Sequence, residues 1–370
     1  MKPIRVLFVS GGSLDYGGIA SWMLSYASRF DRDAVAVDFL VHGMEQGARE
    51  GEAAALGAKV YHVPLRRNDP LRNRRGMAEA IGAGYDIVHA HMEGMNALPL
   101  SLAKRCGVRV RISHAHSVDY LTDSMLHRMV NAVARMRIPD YATALFACSD
   151  AAGIFLYGEE SVSGGSVKII RNAIELEDYQ FDVLTRDRIR KELNFEDRFI
   201  IGSVGHLNDK VKNQSLLFRA LRMAKRDRPE LALVLAGDGP DMDEFITLIK
   251  RSGLEGDVIL TGQRGDIPAL LSAFDLFALP SWFEGLGIAL VEAQASGLNC
   301  LASDRIPNDT QIVSCEALPP DRPDLWAARF LTAKETDDRV LGKEAFVSRG
   351  YEIEAAAREL ANAYREMAAE

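Results

Sequence analysis

"LFALPSWFEGLGIALVEAQASG", residues 276–297, falls into three parts. "LFALPS" is a short, nearly unbroken apolar run, as a strand shows when a parallel sheet is covered on both faces. "WFEGLG" interrupts it with two glycines. "IALVEAQASG" then resumes as a helix whose small residues allow close packing, and it stops at a glycine. At such a strand–loop–helix junction the N–H groups of Gly285, Leu286, Gly287 and Ile288 lie where a helix opens. They have no partner within the helix and form an anion site. Glu284 stands in the loop and Glu292 on the helix, eight residues apart. The spacing alone leaves open whether they act as general acid and base or as hydrogen-bond clamps.

The same alternation runs through the chain. The strand candidates are "IRVLFVS", "AVDFLVH", "KVYHVP", "DIVHAH", "RVRISHAH", "ALFACS" and "KIIRN" in the first half. In the second they are "FIIGSVG", "LALVLAG", "DVILTG", "LFALPS" and "LNCLAS". Helical stretches between them predict parallel sheets with crossover helices. A polar, charge-rich stretch at 175–198 separates the two sets. The expectation is an α/β protein of two doubly wound domains, residues 1–178 and 179–350, facing a central cleft. The Ala/Glu-rich helix at 351–370 is expected to cross back onto the first domain, and the linkers near 175–198 and 345–352 to act as hinges. In open sheets of this kind ligands bind beyond the carboxyl ends of the strands.

A chain of 370 residues with 48% apolar and 26% charged side chains has the make-up of a soluble globular protein. Its formal charge of -8 argues against nucleic acid as a partner. Residues 1–180 carry 20 basic and 20 acidic side chains, so the negative excess lies beyond them. Four cysteines, Cys106, Cys148, Cys300 and Cys315, show no metal-type spacing and sit in or beside apolar stretches, which predicts reduced, buried thiols of a cytoplasmic protein. "MKPIRVLFVSGG" reads as a first strand rather than a signal peptide. No segment approaches the roughly 20 apolar residues that span a bilayer.

Other candidates also follow predicted strands. "SGGSLDYGGIASWML" leaves Gly17 and Gly18 before a helix, which is either a phosphate cradle of backbone N–H groups or a flexible loop. "HAHM" (His89, His91) and "HAHS" (His114, His116) each put two imidazoles on one face of a strand. Either pair suits zinc in a metal-dependent hydrolase, a histidine that bonds a substrate hydroxyl, or histidines satisfied in the core. In "SVGHLNDKVKNQSLL", Lys210 and Lys212 stand where an ammonium neutralises a phosphate or is simply solvated. Asp241 and Asp243 of "LAGDGPDMDEF" resemble a metal–diphosphate pair, but helix capping explains them better.

Read in order, "DYGGIASWMLSYA", "VHAHMEG", "RISHAHS", "FACSDAAGIFLYG", "IIRNAIELEDY", "SVGHLNDKVKNQSLL", "LVLAGDGP" and the stretch from "ILTGQRGD" through "EGLGIALVEAQASGL" resemble a retaining glycosyltransferase of family four, of GT-B architecture with two Rossmann-like domains. The flavour is similar to the bacterial branch that builds capsular and exopolysaccharides. The resemblance implies an N-terminal acceptor domain and a C-terminal donor domain. It implies that Lys212 binds the donor diphosphate, helped by the N–H groups around Leu286–Ile288 and the Gly17–Gly18 loop. Glu284 then holds hydroxyls of the transferred sugar, Glu292 the ribose, and Arg264 the site of the base. His116, with His114 as an alternative, lies near the reacting centre. His116, Lys212 and Glu284 are the catalytic candidates. The donor is a nucleotide-diphosphate sugar, a UDP-sugar foremost, and no cofactor or metal is required. The acceptor is a growing polysaccharide or a lipid-linked glycan.

Such a leaving group needs its charge neutralised more than it needs a proton, so the two carboxylates read as clamps rather than a hydrolase's acid/base pair. One position departs from the family pattern. His206 stands where an arginine is usual, so either Lys210 compensates, donor binding is weaker and pH-dependent, or activity is lost. The cluster Arg66, Arg67, Arg72, Arg74 and Arg75 is either a solvated face or a site for an anionic membrane surface on the inner leaflet. A zinc hydrolase and a non-catalytic nucleotide-sugar-binding protein remain the rival readings.

Overall fold

The computed structural model describes residues 2–118, 124–335, 339 and 342–369. The chain forms two compact units, Met1–Ile174 with Gly350–Glu370, and Glu175–Arg349. The last residue of the helix expected at 351–370, Glu370, lies outside the described residues.

In the first unit seven strands form one parallel sheet. They are β1 (Ile4–Ser10), β2 (Val35–His42), β3 (Val60–Val63), β4 (Ile87–His91), β5 (Val110–Ala115), β6 (Ala144–Ala147) and β7 (Val167–Ile169), in the order β3-β2-β1-β4-β5-β6-β7. The reversal beside β1 is the switch point of a doubly wound sheet. Four helices matter below: α1 (Gly18–Arg29), α2 (Pro70–Ile81), α3 (Ala97–Arg105) and α4 (Met125–Arg135). One face of the sheet buries Phe8, Phe39 and Phe146 against α1 and the C-terminal helix Ile353–Ala369. The other buries Leu7, Val9 and Val88 against α2 and α3. Both faces are covered, which is why these strands read as continuous apolar runs.

The second unit repeats the plan with β8 (Phe199–Val204), β9 (Leu231–Ala236), β10 (Val258–Leu260), β11 (Leu276–Leu279), β12 (Cys300–Ser303) and β13 (Cys315–Leu318). The order is β10-β9-β8-β11-β12-β13, again parallel. Its relevant helices are α5 (Val183–Leu193), the single turn α6 (Asp209–Lys212), α7 (Ser215–Ala224), α8 (Met242–Ser252) and α9 (Ile288–Ala295). At the ends of β8 and β9 the backbones nearly touch. A Cβ on Gly237 (φ +145°) would fall 1.9 Å from the Gly205 carbonyl oxygen, so only glycine fits there.

The structure corrects four expectations. β13 is an additional strand. The passage between units falls at 174/175 rather than 178/179, because the turn Leu176–Tyr179 already packs on helices of the second unit, α9 among them. The stretch read as a polar linker contains α5, whose Arg186 and Arg190 both bond the buried Asp275 carboxylate (2.5 and 3.1 Å). Of the cysteines, all free, Cys148 and Cys300 are buried and Cys315 partly so, but Cys106 is exposed, which corrects its expected burial. Among the described residues no helix is long and apolar enough to cross a membrane.

Candidate functional site

Two loops at the carboxyl end of the second sheet are sewn together. After β8 the chain makes α6 and reaches Asn213, a left-handed residue (φ +53°) whose buried side chain donates to the carbonyls of Pro280 (3.1 Å) and Pro320 (2.7 Å). Trp282 N–H donates to the Val211 carbonyl at 2.8 Å. The loop after β11 is thus fixed to the loop after β8 by side-chain and backbone bonds.

Asp241 supports this arrangement in a way that corrects its reading as an ordinary cap. It stands at the N-cap of α8, but its carboxylate makes no bond to that helix and instead accepts the Asp209 N–H at 2.6 Å. Asp209 in turn accepts the Ser215 N–H at 2.7 Å where α7 begins. Two carboxylates in series therefore hold the turn that carries Lys210 and Lys212. Asp243 lies in the first turn of α8, where a negative charge complements the helix dipole.

On this frame Lys212 Nζ donates to both oxygens of Glu284, at 2.7 and 2.9 Å. The buried hydroxyl of Ser281 donates to Glu284 at 2.7 Å. Lys212 and Glu284 side chains are 22% and 8% exposed, so the pair is sheltered and Lys212 is the more open of the two. Gly287 (φ +82°) then turns the chain into α9, placing the helix N-terminus directly after Glu284. Leu286 and Gly287 are buried, while Gly285 and Ile288 are partly exposed.

Glu292, one turn into α9, accepts from Tyr179 Oη at 2.9 Å. Burial raises its carboxyl above the ordinary carboxylate range, and the Tyr179 bond opposes part of that rise. His206 and Lys210 are exposed on the loop after β8, and the His206 carbonyl accepts from Gln214 at 3.0 Å. Arg264 is not gathered with them. Its guanidinium forms a two-armed pair with Asp266 (2.7 Å each) and another bond to Glu192 (2.8 Å), and it shares no partner with Lys212 or Glu284.

In the first unit Gly17 is extended and α1 opens at Gly18 without a side-chain cap. Nearby, the four histidines pack around Trp22, with ring centroids 4.8 to 5.7 Å away. Tyr364 Oη and His89 Nδ1 are 2.7 Å apart, His89 Nε2 and His114 Nδ1 3.1 Å, and His91 Nδ1 and His116 Nε2 2.8 Å. Burial holds His89, His91 and His114 well below the ordinary histidine range and brings His116 down to about 3, so all four are neutral at pH 7. Glu93 (φ +52°) accepts the backbone N–H of His116 at 2.8 Å, and burial pushes its carboxyl up to about 8.

The signs of these shifts predict acid lability. A histidine held neutral in the fold binds its proton only on unfolding, so its contribution is present above about pH 6.5 and is lost as the pH falls. Glu93 works in the opposite sense, losing its contribution as the pH rises toward 8. With four protons against one, stability falls by up to about 4 kcal/mol per pH unit below pH 6. Hydrogen exchange over residues 87–116, corrected for intrinsic rates, should lose at least about 100-fold protection between pH 7 and 5.5. Unchanged protection would refute the neutral cluster.

Nitrogens of His89, His91 and His114 lie within 4.8 Å of one another, as a metal site needs. They are nonetheless tied into the bonds above, and only His91 Nε2 and His114 Nε2 of these three residues lack a hydrogen-bond partner. His116 Nδ1 is a third unpartnered ring nitrogen of the cluster, and both nitrogens of His89 are bonded, so a metal on His89, His91 and His114 would have to displace a His89 bond. Tyr179, Ser281, Glu93 and Tyr364 were not among the sequence candidates. Only Glu93 gave a signal, as the acid directly after "HAHM".

The glycosyl transferases group 1 model matches residues 185–335, and the glycosyl transferase 4-like domain model matches residues 17–159. A Bacillus subtilis chain named as a glycosyltransferase, EpsF, is 32% identical over 370 residues, covering 97% of this chain and 96% of its own. The UDP-Gal:alpha-D-GlcNAc-diphosphoundecaprenol alpha-1,3-galactosyltransferase of Escherichia coli is 27% identical over 227 residues, 60% of this chain and 58% of that one. Anabaena Alr3699/HepE, solved in complex with UDP and glucose, superposes with a TM-score of 0.72 at 22% identity, over 99% of this chain and 97% of that one. These relatives carry no support for a hydrolase. A chain with two Rossmann-like sheets, matched in both halves and along its length, belongs to the group 1 glycosyl transferases of GT-B fold, and is a transferase.

Proposed function

We propose that this transferase moves a hexose or N-acetylhexosamine from a UDP-sugar to a growing polysaccharide or lipid-linked glycan, with retention at the anomeric carbon and without a metal. The observation that carries this reading is the Lys212–Glu284–Ser281 constellation against the N-terminus of α9. An ammonium and a helix N-terminus on one small frame suit a departing diphosphate, which needs charge neutralised as the bond to the sugar breaks. Glu284, held by Lys212 and Ser281, is poised to accept hydroxyls of the transferred sugar. Glu292, kept in place by Tyr179, is poised to accept those of the ribose. A phosphate oxygen of the leaving group would take the acceptor's proton on the same face of the sugar. HepE crystallised with UDP and the Escherichia coli relative is named for a UDP-sugar donor and a diphosphoundecaprenol acceptor, which favours the same classes here.

In this reading the second unit takes the donor and the first the acceptor, in exopolysaccharide or capsule synthesis at the cytoplasmic membrane face. His116 lies near the reacting centre as a neutral imidazole. Gly17 and Gly18 add N–H groups toward the phosphates, and Arg264 shapes the base site through its backbone. His206 and Lys210 supply a weaker grip on diphosphate than an arginine would.

The test is the stereochemistry of the product. With an α-linked UDP-sugar and a diphospholipid-linked acceptor, in EDTA, the new anomeric proton should show the small coupling of an α-glycoside. A β-glycoside would overturn retention. Donor binding with no release of UDP from any acceptor would instead favour a nucleotide-sugar-binding protein.

A further inference from the structure

We propose that Glu93 is a positioning residue for the transfer: its carboxyl fixes the loop that carries His116 and so sets where that imidazole stands. The inference rests on the reading of His116 as a group at the reacting centre.

The turn Glu93–Asn96 leads from β4 into α3, and its two end residues brace β5 in different ways. Asn96 has ordinary helical backbone (φ −52°) and uses both ends of its amide. Its Oδ1 accepts the Met92 N–H at 2.6 Å, and its Nδ2 donates to Ser113 Oγ (2.8 Å) and the His114 carbonyl (3.2 Å). Glu93 carries two costs instead. Its backbone is left-handed at φ +52°, and the other such non-glycine residues among those described, Asn194 and Asn213, are of a type that tolerates it. Its Oε1 accepts the His116 N–H at 2.8 Å, but its Oε2 is buried with no hydrogen-bond partner. Buried polar atoms are almost always paired, so an unpaired one on a strained residue calls for a reason beyond packing. The turn has no room to relax, since a Cβ on Gly94 would fall 2.5 Å from the Asn131 carbonyl oxygen on α4.

The reason lies in what Oε1 holds. β5 ends at Ala115, so His116 is the first residue beyond the strand, and Glu93 supplies the acceptor for its N–H. The ring of the same residue is gripped from His91, whose Nδ1 lies 2.8 Å from His116 Nε2. Backbone and ring are thus fixed by two residues of one stretch. Without Glu93 the backbone is free to move while the ring pivots on His91. A misplacement of about 1 Å at a reacting centre can cost about 100-fold in rate. Burial pushes the Glu93 carboxyl up to about 8, so at pH 7 this hold brings little charge beside the neutral histidines.

The test compares Glu93→Ala, Glu93→Gln and Glu93→Asp, and places Glu93→Ala on His116→Ala, all at matched near-ultraviolet circular dichroism. Turnover is followed as UDP released from UDP-glucose, UDP-galactose or UDP-N-acetylglucosamine, with water in the acceptor's place and the free sugar as second product. Glu93→Ala should lower kcat at least about 20-fold and leave the donor KM within about twofold, because the donor is held by the second unit. Glu93→Asp, one methylene too short to reach the His116 N–H, should fall with it even if the alanine variant does not fold. Glu93→Gln keeps a carbonyl oxygen for that N–H and should retain at least about a third of kcat. On His116→Ala, Glu93→Ala should cost less than about twofold more, as for residues that act through one another. Nitrogen NMR of the His116 ring needs no substrate, and its signals should shift in the alanine and aspartate variants but not in Glu93→Gln. Multiplicative losses, a glutamine variant as slow as alanine, or ring signals unmoved in Glu93→Ala would overturn the inference. Wild type that binds no UDP would sink the nucleotide-sugar reading and leave the ring measurement to decide this one.

Discussion

Lys212→Met should lower kcat/KM by about 100- to 1,000-fold, the range for removing one preorganised donor from a developing negative charge. The same change strands Glu284, whose side chain is 8% exposed and keeps the Ser281 hydroxyl as its remaining side-chain donor among the described residues. That should destabilise the second unit by about 1–3 kcal/mol, the usual cost of an unsatisfied buried group. The two effects are separable. Adding Glu284→Gln removes the orphaned charge and should return most of the stability in a urea titration, while turnover stays low. Recovery of turnover in the double variant would mean that Lys212 serves only to neutralise Glu284.

The largest stability effect is expected at Asp275, which has no proposed substrate contact. Its fully buried carboxylate accepts from Arg186 and Arg190 on α5 and from the Ile200 N–H at 2.6 Å on β8. Asp275→Ala strips Arg186 and Arg190 of their buried counter-charge and leaves Arg186 only the exposed Glu335 at 3.9 Å. Breaking a buried ion pair from one side typically costs about 3–5 kcal/mol. Denaturant unfolding should show that loss with the unfolding slope unchanged. A loss below about 1 kcal/mol would show that α5 is held by its apolar face alone, through Ile189 and Leu193.

These residues also mark what the sequence can and cannot tell. The strands were legible because sheets covered on both faces demand apolar runs, and twelve were read in place. β13 escaped because "CEAL" is a four-residue edge strand with Glu316 exposed and no periodicity to betray it. α5 escaped for a different reason. Its arginines look like surface charge in the sequence, and nothing local reveals that Asp275, over 80 residues later, waits beneath them.

At the candidate site Lys212 and Glu284 were each visible beside a strand–loop–helix junction. Their contact depends on Asn213 and Trp282 joining two loops, which is tertiary information. The histidine motifs told that each pair shares a strand face. They did not tell that β4 and β5 pair with Ala90 opposite Ser113, which staggers the imidazoles into one neutral, hydrogen-bonded cluster. Tyr179 could not be singled out, because its importance comes entirely from the Glu292 oxygen it meets 113 positions away.

The most direct test of the central claim, that Lys212 and the start of α9 hold the donor diphosphate, is isothermal titration of UDP in EDTA into wild type and Lys212→Met. Saturable binding to wild type, weakened at least about tenfold in a folded Lys212→Met, is the predicted result. Equal affinity in the two proteins, or no binding of UDP to folded wild type, would contradict it.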